Sequence, residues 1–136
     1  MKIVLDTNVL LVSLPSHSQY HPIFQALMRK DYDLFVTNEM LIEYEEQIGR
    51  RLGVERTDLR LRELLNLPNV HEVVPYYLWQ LIDQDLDDNK FVDCAVSAGA
   101  DYLVTNDRHF DVLASIEFPK VKAIKAQAFL EILSSL

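Results

Sequence analysis

Lys2-Ile3-Val4-Leu5-Asp6-Thr7-Asn8 near one end of the chain and Tyr102-Leu103-Val104-Thr105-Asn106-Asp107 near the other share one form: a short aliphatic run closed by a polar, acid-bearing tripeptide. Each run reads as a buried strand with a carboxylate at or just beyond its C-terminal end. Residues 31–37, with Leu34-Phe35-Val36, predict another strand, as do residues 70–74 and 121–124. Helical patterns fill the intervals. Pro22 stands in a first helical turn, and Ile23, Phe24, Leu27 and Met28 follow at helical spacing. Asn38 is the expected N-cap of a helix striped by Leu41, Tyr44, Ile48 and Leu52 and ending near Gly53. Further helices are expected over residues 57–67, stopped by Pro68, and over residues 77–83. Another opens at Asp87 or Asp88, has Phe91, Val92, Ala95 and Ala98 inward, and stops at Gly99. A helical turn through Leu113 and a last helix facing Phe129, Leu130, Ile132 and Leu133 inward complete the order. Strands alternating with helices imply parallel strands joined by right-handed crossovers, hence an α/β fold, a three-layer α/β/α sandwich.

The chain has 136 residues, 49% apolar and 25% charged, which fits one globular domain over 1–136 with neither disorder nor a linker. A domain of that size buries roughly two-thirds of its unfolded surface, enough for one core without disulfides or a structural metal. Cys94 stands alone, with no histidine near it to make a zinc or redox motif, and a reducing, cytoplasmic setting is expected. Asp6 interrupts the first apolar run before it reaches export-signal length. The uncharged residues 7–28 contain Pro15, His17, His21 and Pro22, which a membrane span would not tolerate together.

Thirteen Lys and Arg against 21 Asp and Glu give a net charge of -8, which argues against binding nucleic acid by general phosphate neutralisation. The distribution is uneven. Arg50, Arg51, Arg56, Arg60 and Arg62 gather in one stretch, and Asp83, Asp85, Asp87, Asp88 and Asp93 in another, which suits a metal site beside an anion-binding surface.

Open parallel sheets bind ligands along the carboxyl edge, where Asp6 and Asp107 fall. Either acid alone reads equally well as a solvated strand end or helix cap. Asp88 lies on the same helical face as Phe91, Val92 and Ala95, so it continues the buried stripe toward the strand ends. On the same wheel Asp93 falls on the solvent side. Glu43 and Glu45 are not separated by the wheel. Carboxylates that converge repel one another and raise each other's pKa unless a cation joins them. Oxygen ligands without Cys or His favour Mg²⁺ or Mn²⁺, and such a centre suits hydrolysis of a phosphodiester.

Asp6-Thr7-Asn8-Val9-Leu10, Ile42-Glu43-Tyr44, Asp88-Asn89-Lys90-Phe91-Val92-Asp93 and Ala100-Asp101-Tyr102-Leu103-Val104-Thr105-Asn106-Asp107, taken in this order and spacing, resemble a PIN domain over nearly the whole chain. The likeness is nearest to single-domain PIN proteins classed as toxin components of toxin-antitoxin systems, relatives of the VapC-type ribonucleases. That resemblance implies strand order 3-2-1-4-5, which sets Asp6 and Asp107 on neighbouring strands, and an acidic quartet of Asp6, Glu43, Asp88 and Asp107. It chooses Glu43 over Glu45 and retains Asp93 as a further ligand or water-positioning acid. It makes Asn8 and Thr105 the groups that orient the carboxylates by hydrogen bonds. Asn106 stands where the family pattern has Gly, which bears on the turn geometry. The activity implied is Mg²⁺- or Mn²⁺-dependent cleavage of RNA, with a cognate antitoxin as partner.

Other readings meet specific residues. A haloacid dehalogenase-type phosphatase needs a second acid where Asn8 stands, and a receiver domain needs a phospho-accepting Asp where the chain reads Val73-Val74-Pro75. A catalytically silent PIN fold that binds RNA or protein is the alternative of another class. Arg50 and Arg51 read either as solvated helix arginines paired with neighbours such as Glu46, or as part of an RNA-backbone clamp or antitoxin surface. His109 reads as a surface histidine or as an aid to the leaving group. Tyr76, Tyr77 and Trp79 read as core or as the interface of a homodimer.

Overall fold

The computed structural model describes residues 1–136. Strand β1 (Lys2–Leu5) is followed directly by helix α1 (Thr7–Ser13), then α2 (His21–Met28), β2 (Asp33–Val36), α3 (Asn38–Leu52), α4 (Val54–Leu65) and β3 (Val70–Glu72). A 3-10 turn at Leu86–Asp88 leads into α5 (Asn89–Ala98), then come β4 (Tyr102–Val104), a 3-10 helix Arg108–Ser115, β5 (Ala123–Ile124) and α6 (Ala126–Ser134). The sheet is parallel throughout in the order β3-β2-β1-β4-β5, as the resemblance implied.

Strand β1 is central. Ile3 and Leu5 point to one face and Val4 to the other, and all three are fully buried, so both faces of the sheet are covered. Leu5 pairs with Val104, and the Asp6 amide donates to the Val104 carbonyl at 3.0 Å. Successive strands are added to one side of β1 and then, from β4 on, to the other, which makes this β1/β4 seam the switch point of the fold. Around it pack Phe91, Phe110, Tyr32 and Phe129, the last two edge to face with centroids 5.2 Å apart.

Several sequence expectations shift, each for a local reason. The N-cap of α3 is Thr37 rather than Asn38, because Thr37 retains extended backbone and its hydroxyl accepts from the Met40 amide at 3.2 Å. Helix α4 begins at Val54 rather than Thr57, since Gly53 (φ 81°) takes a left-handed φ, turns the chain within one residue and caps both helices. Residues 77–83 form no helix. They lie along α5, tied by the Asp93 carboxylate, which accepts from the Trp79 amide at 3.0 Å, and by Asn89, whose side chain bonds both the Ile82 amide and carbonyl at 2.9 Å. These two clamps satisfy backbone groups that a helix would have paired internally. The same loop covers the flank of α5 that the helical wheel assigned to water, so Asp93 is 4% exposed rather than solvated. No helix is long and apolar enough to cross a membrane.

Tyr44 links the core to the strand end that matters most. Its ring is fully buried and its hydroxyl donates to the Leu5 carbonyl at 2.6 Å, one residue before Asp6. Burial pushes its pKa well above the ordinary phenol range, so the donor persists across working pH. Tyr44→Phe is expected to lower unfolding free energy by about 1–2 kcal/mol in urea titrations, the scale of one buried acceptor left unpaired.

Candidate active site

Asp6, at the end of β1, caps α1: Oδ1 accepts from the Asn8 amide at 3.3 Å, and Oδ2 accepts from the Thr105 hydroxyl at 2.7 Å. Thr105 in turn accepts from the Asp107 amide at 3.0 Å. One hydroxyl therefore fixes both strand-end acids across the β1/β4 seam. Thr105 thus meets the Asp6 carboxylate through its side-chain hydroxyl, and Asn8 meets it through its backbone amide. Asn106, in place of Gly, keeps a negative φ, and its side-chain oxygen accepts from the Ala126 amide at 3.0 Å, which caps α6. The turn needs no glycine because Asn106 secures it from the far side.

Asp107 caps the 3-10 helix Arg108–Ser115 by accepting from the His109 amide at 2.9 Å. The His109 ring returns to the acids, with Nδ1 3.3 Å from Asp88 Oδ2 and 3.5 Å from Asp107 Oδ1. Asp88 reaches this position at the junction of the 3-10 turn with α5. Glu43, in the second turn of α3, points to the same centre: Oε2 accepts from the Thr7 hydroxyl and Oε1 lies 2.8 Å from Lys90 Nζ. Glu45 is exposed, so the tertiary contacts separate the two glutamates that the wheel left equal. The structure thus brings Asp6, Glu43, Asp88 and Asp107 together.

Burial first, and then repulsion by the neighbouring acids, raise the proton affinities of Asp6 and Asp88. Burial raises the pKa of Asp6 most, Thr105 and the Asn8 amide lower it, and the charges of Glu43 and Asp107 raise it again. Burial likewise pushes Asp88 up to about 6, opposed by its bond to His109 and reinforced by Asp85, Asp107 and Asp6. An all-carboxylate set that is partly buried and self-repelling fits a hard divalent cation such as Mg²⁺ or Mn²⁺. Asp85, Asp88 and His109 also present ligand atoms within 4.8 Å of one another, at the rim of the same centre.

Asp93 belongs elsewhere. Its carboxylate holds the Trp79 amide, its neighbouring charge is Glu39, and it borders a separate cavity of about 260 Å³ with Thr37, Glu39, Glu72 and Lys90. Thr7 and Lys90 are contacts that sequence reasoning missed. Both sit inside the quoted motifs, but only the packing of α1, α3 and α5 shows that they meet Glu43.

The arginine stretch divides. Arg50 pairs with Glu46 at 2.9 Å and Arg60 with Glu63 at 3.4 Å, exposed helix pairs of small energetic weight. Arg51 and Arg60, with Arg29, rim a groove of about 690 Å³ floored by Leu11, Leu14, Phe24 and Ile48, at the ends of α1 and α3 away from the acids. Tyr76 and Tyr77 are exposed rather than core, while Trp79 is half-buried against Tyr77 and Phe118.

The family model described as PIN domain matches residues 2–109. Among solved structures, the chain is similar to VapBC2 from Rickettsia felis bound to a DNA fragment from their promoter, with a TM-score of 0.62 and 17% identity over 92% of this chain and 98% of that chain. At that identity the likeness shows a shared fold. No curated protein matches in sequence.

The raised pKa of Asp88 has a signed consequence. Its folded value of about 6 exceeds the unfolded value near 4, so it carries a stability penalty that is fully present above the folded pKa, relieved as pH falls through it, and gone below the unfolded one. Thermal melts of the metal-free protein are therefore expected to rise from pH 7 to pH 5, and Asp88→Asn to raise the pH 7 melting temperature and flatten that slope.

Proposed function

The chain belongs to the PIN domain family, and on that premise we propose that it is a metal-dependent endoribonuclease acting as the toxin of a toxin-antitoxin pair. The observation that carries this reading is the run of hydrogen bonds from Asp6 through Thr105 to Asp107 and on through His109 to Asp88, which gathers acids from three separate elements at the carboxyl edge of the sheet. In this reading Asp6, Glu43, Asp88 and Asp107 make the site for Mg²⁺ or Mn²⁺. The bound ion would supply Lewis acidity at the scissile phosphate and neutralise the charge that grows there. Thr105 holds Asp6 and Asp107 at fixed separation, so little reorganisation is needed when substrate arrives. His109, already against two of the acids, is placed to pass a proton to the leaving oxygen. Asp93, held by Trp79, serves to anchor the loop over α5 rather than to bind metal.

Partner binding falls to the groove rimmed by Arg29, Arg51 and Arg60. Its apolar floor suits a protein segment with acidic and apolar side chains better than an RNA backbone, and Arg60 already lies over the Phe24 ring at 5.5 Å to the centroid. The similarity to VapBC2 supports an antitoxin as that partner. The exposed Tyr76 and Tyr77, with the half-buried Trp79 beside them, are the surface we assign to a homodimer.

Two experiments test these assignments. Cleavage of single-stranded and structured RNAs is expected to fall to background in EDTA. Asp6→Asn is expected to cut it at least about a hundredfold, the scale of losing one charge-stabilising group, with an unchanged or higher melting temperature in metal-free buffer. Metal affinity that Asp6→Asn leaves intact, with no cleavage by the wild type, would instead favour the silent RNA- or protein-binding fold. Replacing Arg50 and Arg51 by Ala is expected to leave the salt dependence of RNA binding unchanged. A log-log slope reduced by about one unit per arginine would return these residues to an RNA-backbone role.

A further inference from the structure

Lys90 is the one lysine or arginine in direct contact with the acidic quartet, and its position is built rather than incidental. The residue before it, Asn89, is buried and clamped to both backbone groups of Ile82, and the residue after it, Phe91, is buried in the core beside Phe110. Between two such anchors the Lys90 backbone has little freedom. Its side chain is 8% exposed, its Nζ passes 5.4 Å from the Phe91 ring centroid, and it ends 2.8 Å from Glu43 Oε1. The other oxygen of Glu43 already accepts from Thr7, so both oxygens of this carboxylate are engaged by donors of the chain itself. Neither Asp6 nor Asp107 has a lysine or arginine partner: Asp6 is held by the Asn8 amide and the Thr105 hydroxyl, and Asp107 by the His109 amide, with the His109 ring 3.5 Å away.

We propose that Lys90 is an internal cation that occupies the Glu43 end of the site, so that the protein binds one divalent ion, at Asp6, Asp88 and Asp107, rather than two. The inference rests on the metal-dependent reading above and specifies its stoichiometry. A second divalent ion at Glu43 would have to displace an ammonium whose own side chain is nearly buried, or sit beside it and be repelled at short range. Asp6 has no such ammonium partner, its oxygens being held by an amide and a hydroxyl. In this arrangement Lys90 is a positioning residue. It holds Glu43 in place and supplies the positive charge that a second ion would otherwise bring.

The test counts ions rather than turnover. Metal-free protein is titrated with Mn²⁺, with free Mn²⁺ followed by electron paramagnetic resonance and bound Mn²⁺ by calorimetry. The wild type is expected to take up one ion per chain, and Lys90→Arg to do the same. Lys90→Met is expected to take up two, the second within about tenfold of the first in affinity. Circular dichroism establishes that each variant is folded. Should Lys90→Met fail to fold, Lys90→Gln, which keeps a hydrogen-bond donor for Glu43, carries the same expectation. Two ions of similar affinity in the wild type, or one ion in a folded variant lacking the ammonium, would overturn the proposal and leave metal-dependent hydrolysis standing. No Mn²⁺ uptake by the wild type would overturn the metal-dependent reading itself.

Discussion

The hydrogen-bonded seam between β1 and β4 is the constraint on which everything else depends. Leu5 pairs with Val104, the next amide continues the ladder from Asp6, and Thr105 closes the seam by donating to the Asp6 carboxylate. The fold changes direction here, so no crossover covers the carboxyl edge, and the first polar residues after two buried strands emerge side by side. A parallel sheet tolerates charges at this edge because the chain has left the buried layer, although Asp6 is still 6% exposed and bears the electrostatic cost of its neighbours.

The rest of the chain serves to bring further groups to that edge from elements that do not touch it in sequence. Helix α3 delivers Glu43 because Tyr44, one position on, is locked beneath it by a bond to the Leu5 carbonyl. Asp88, at the N-cap of α5, and Lys90, in its first turn, are set in place by Asn89, clamped to Ile82, and by Phe91, buried in the core. The inward residues set the height and rotation of each helix, and the functional residues take up the positions left over. The same division explains why the site combines buried acids with rigid supports.

The large groove follows a different logic. It lies along the ends of α1 and α3 remote from the acids, and its arginines stand over apolar side chains rather than over the carboxylates. The acidic edge and the groove thus differ in chemistry within one small chain of net charge -8: negative at the sheet edge, and apolar with a basic rim along the helices.

Read alone, the sequence determined the alternation of strands and helices, the acids at the ends of β1 and β4, and the buried stripe that carries Asp88 toward them. These depend on periodicity and on residues adjacent along the chain, which is the range over which side-chain pattern and backbone geometry are coupled. The burial of Asp93, the lack of a helix at residues 77–83 and the ion pair of Lys90 with Glu43 were decided only by tertiary structure, which also supplied the contacts behind the choice of Glu43 that the resemblance implied and the helical wheel could not make. Each turns on what an element meets from elsewhere in the chain. A helical wheel gives the angle of a side chain about its own axis but not which neighbour covers that angle, and for Asp93 the neighbour is a loop whose backbone it pairs.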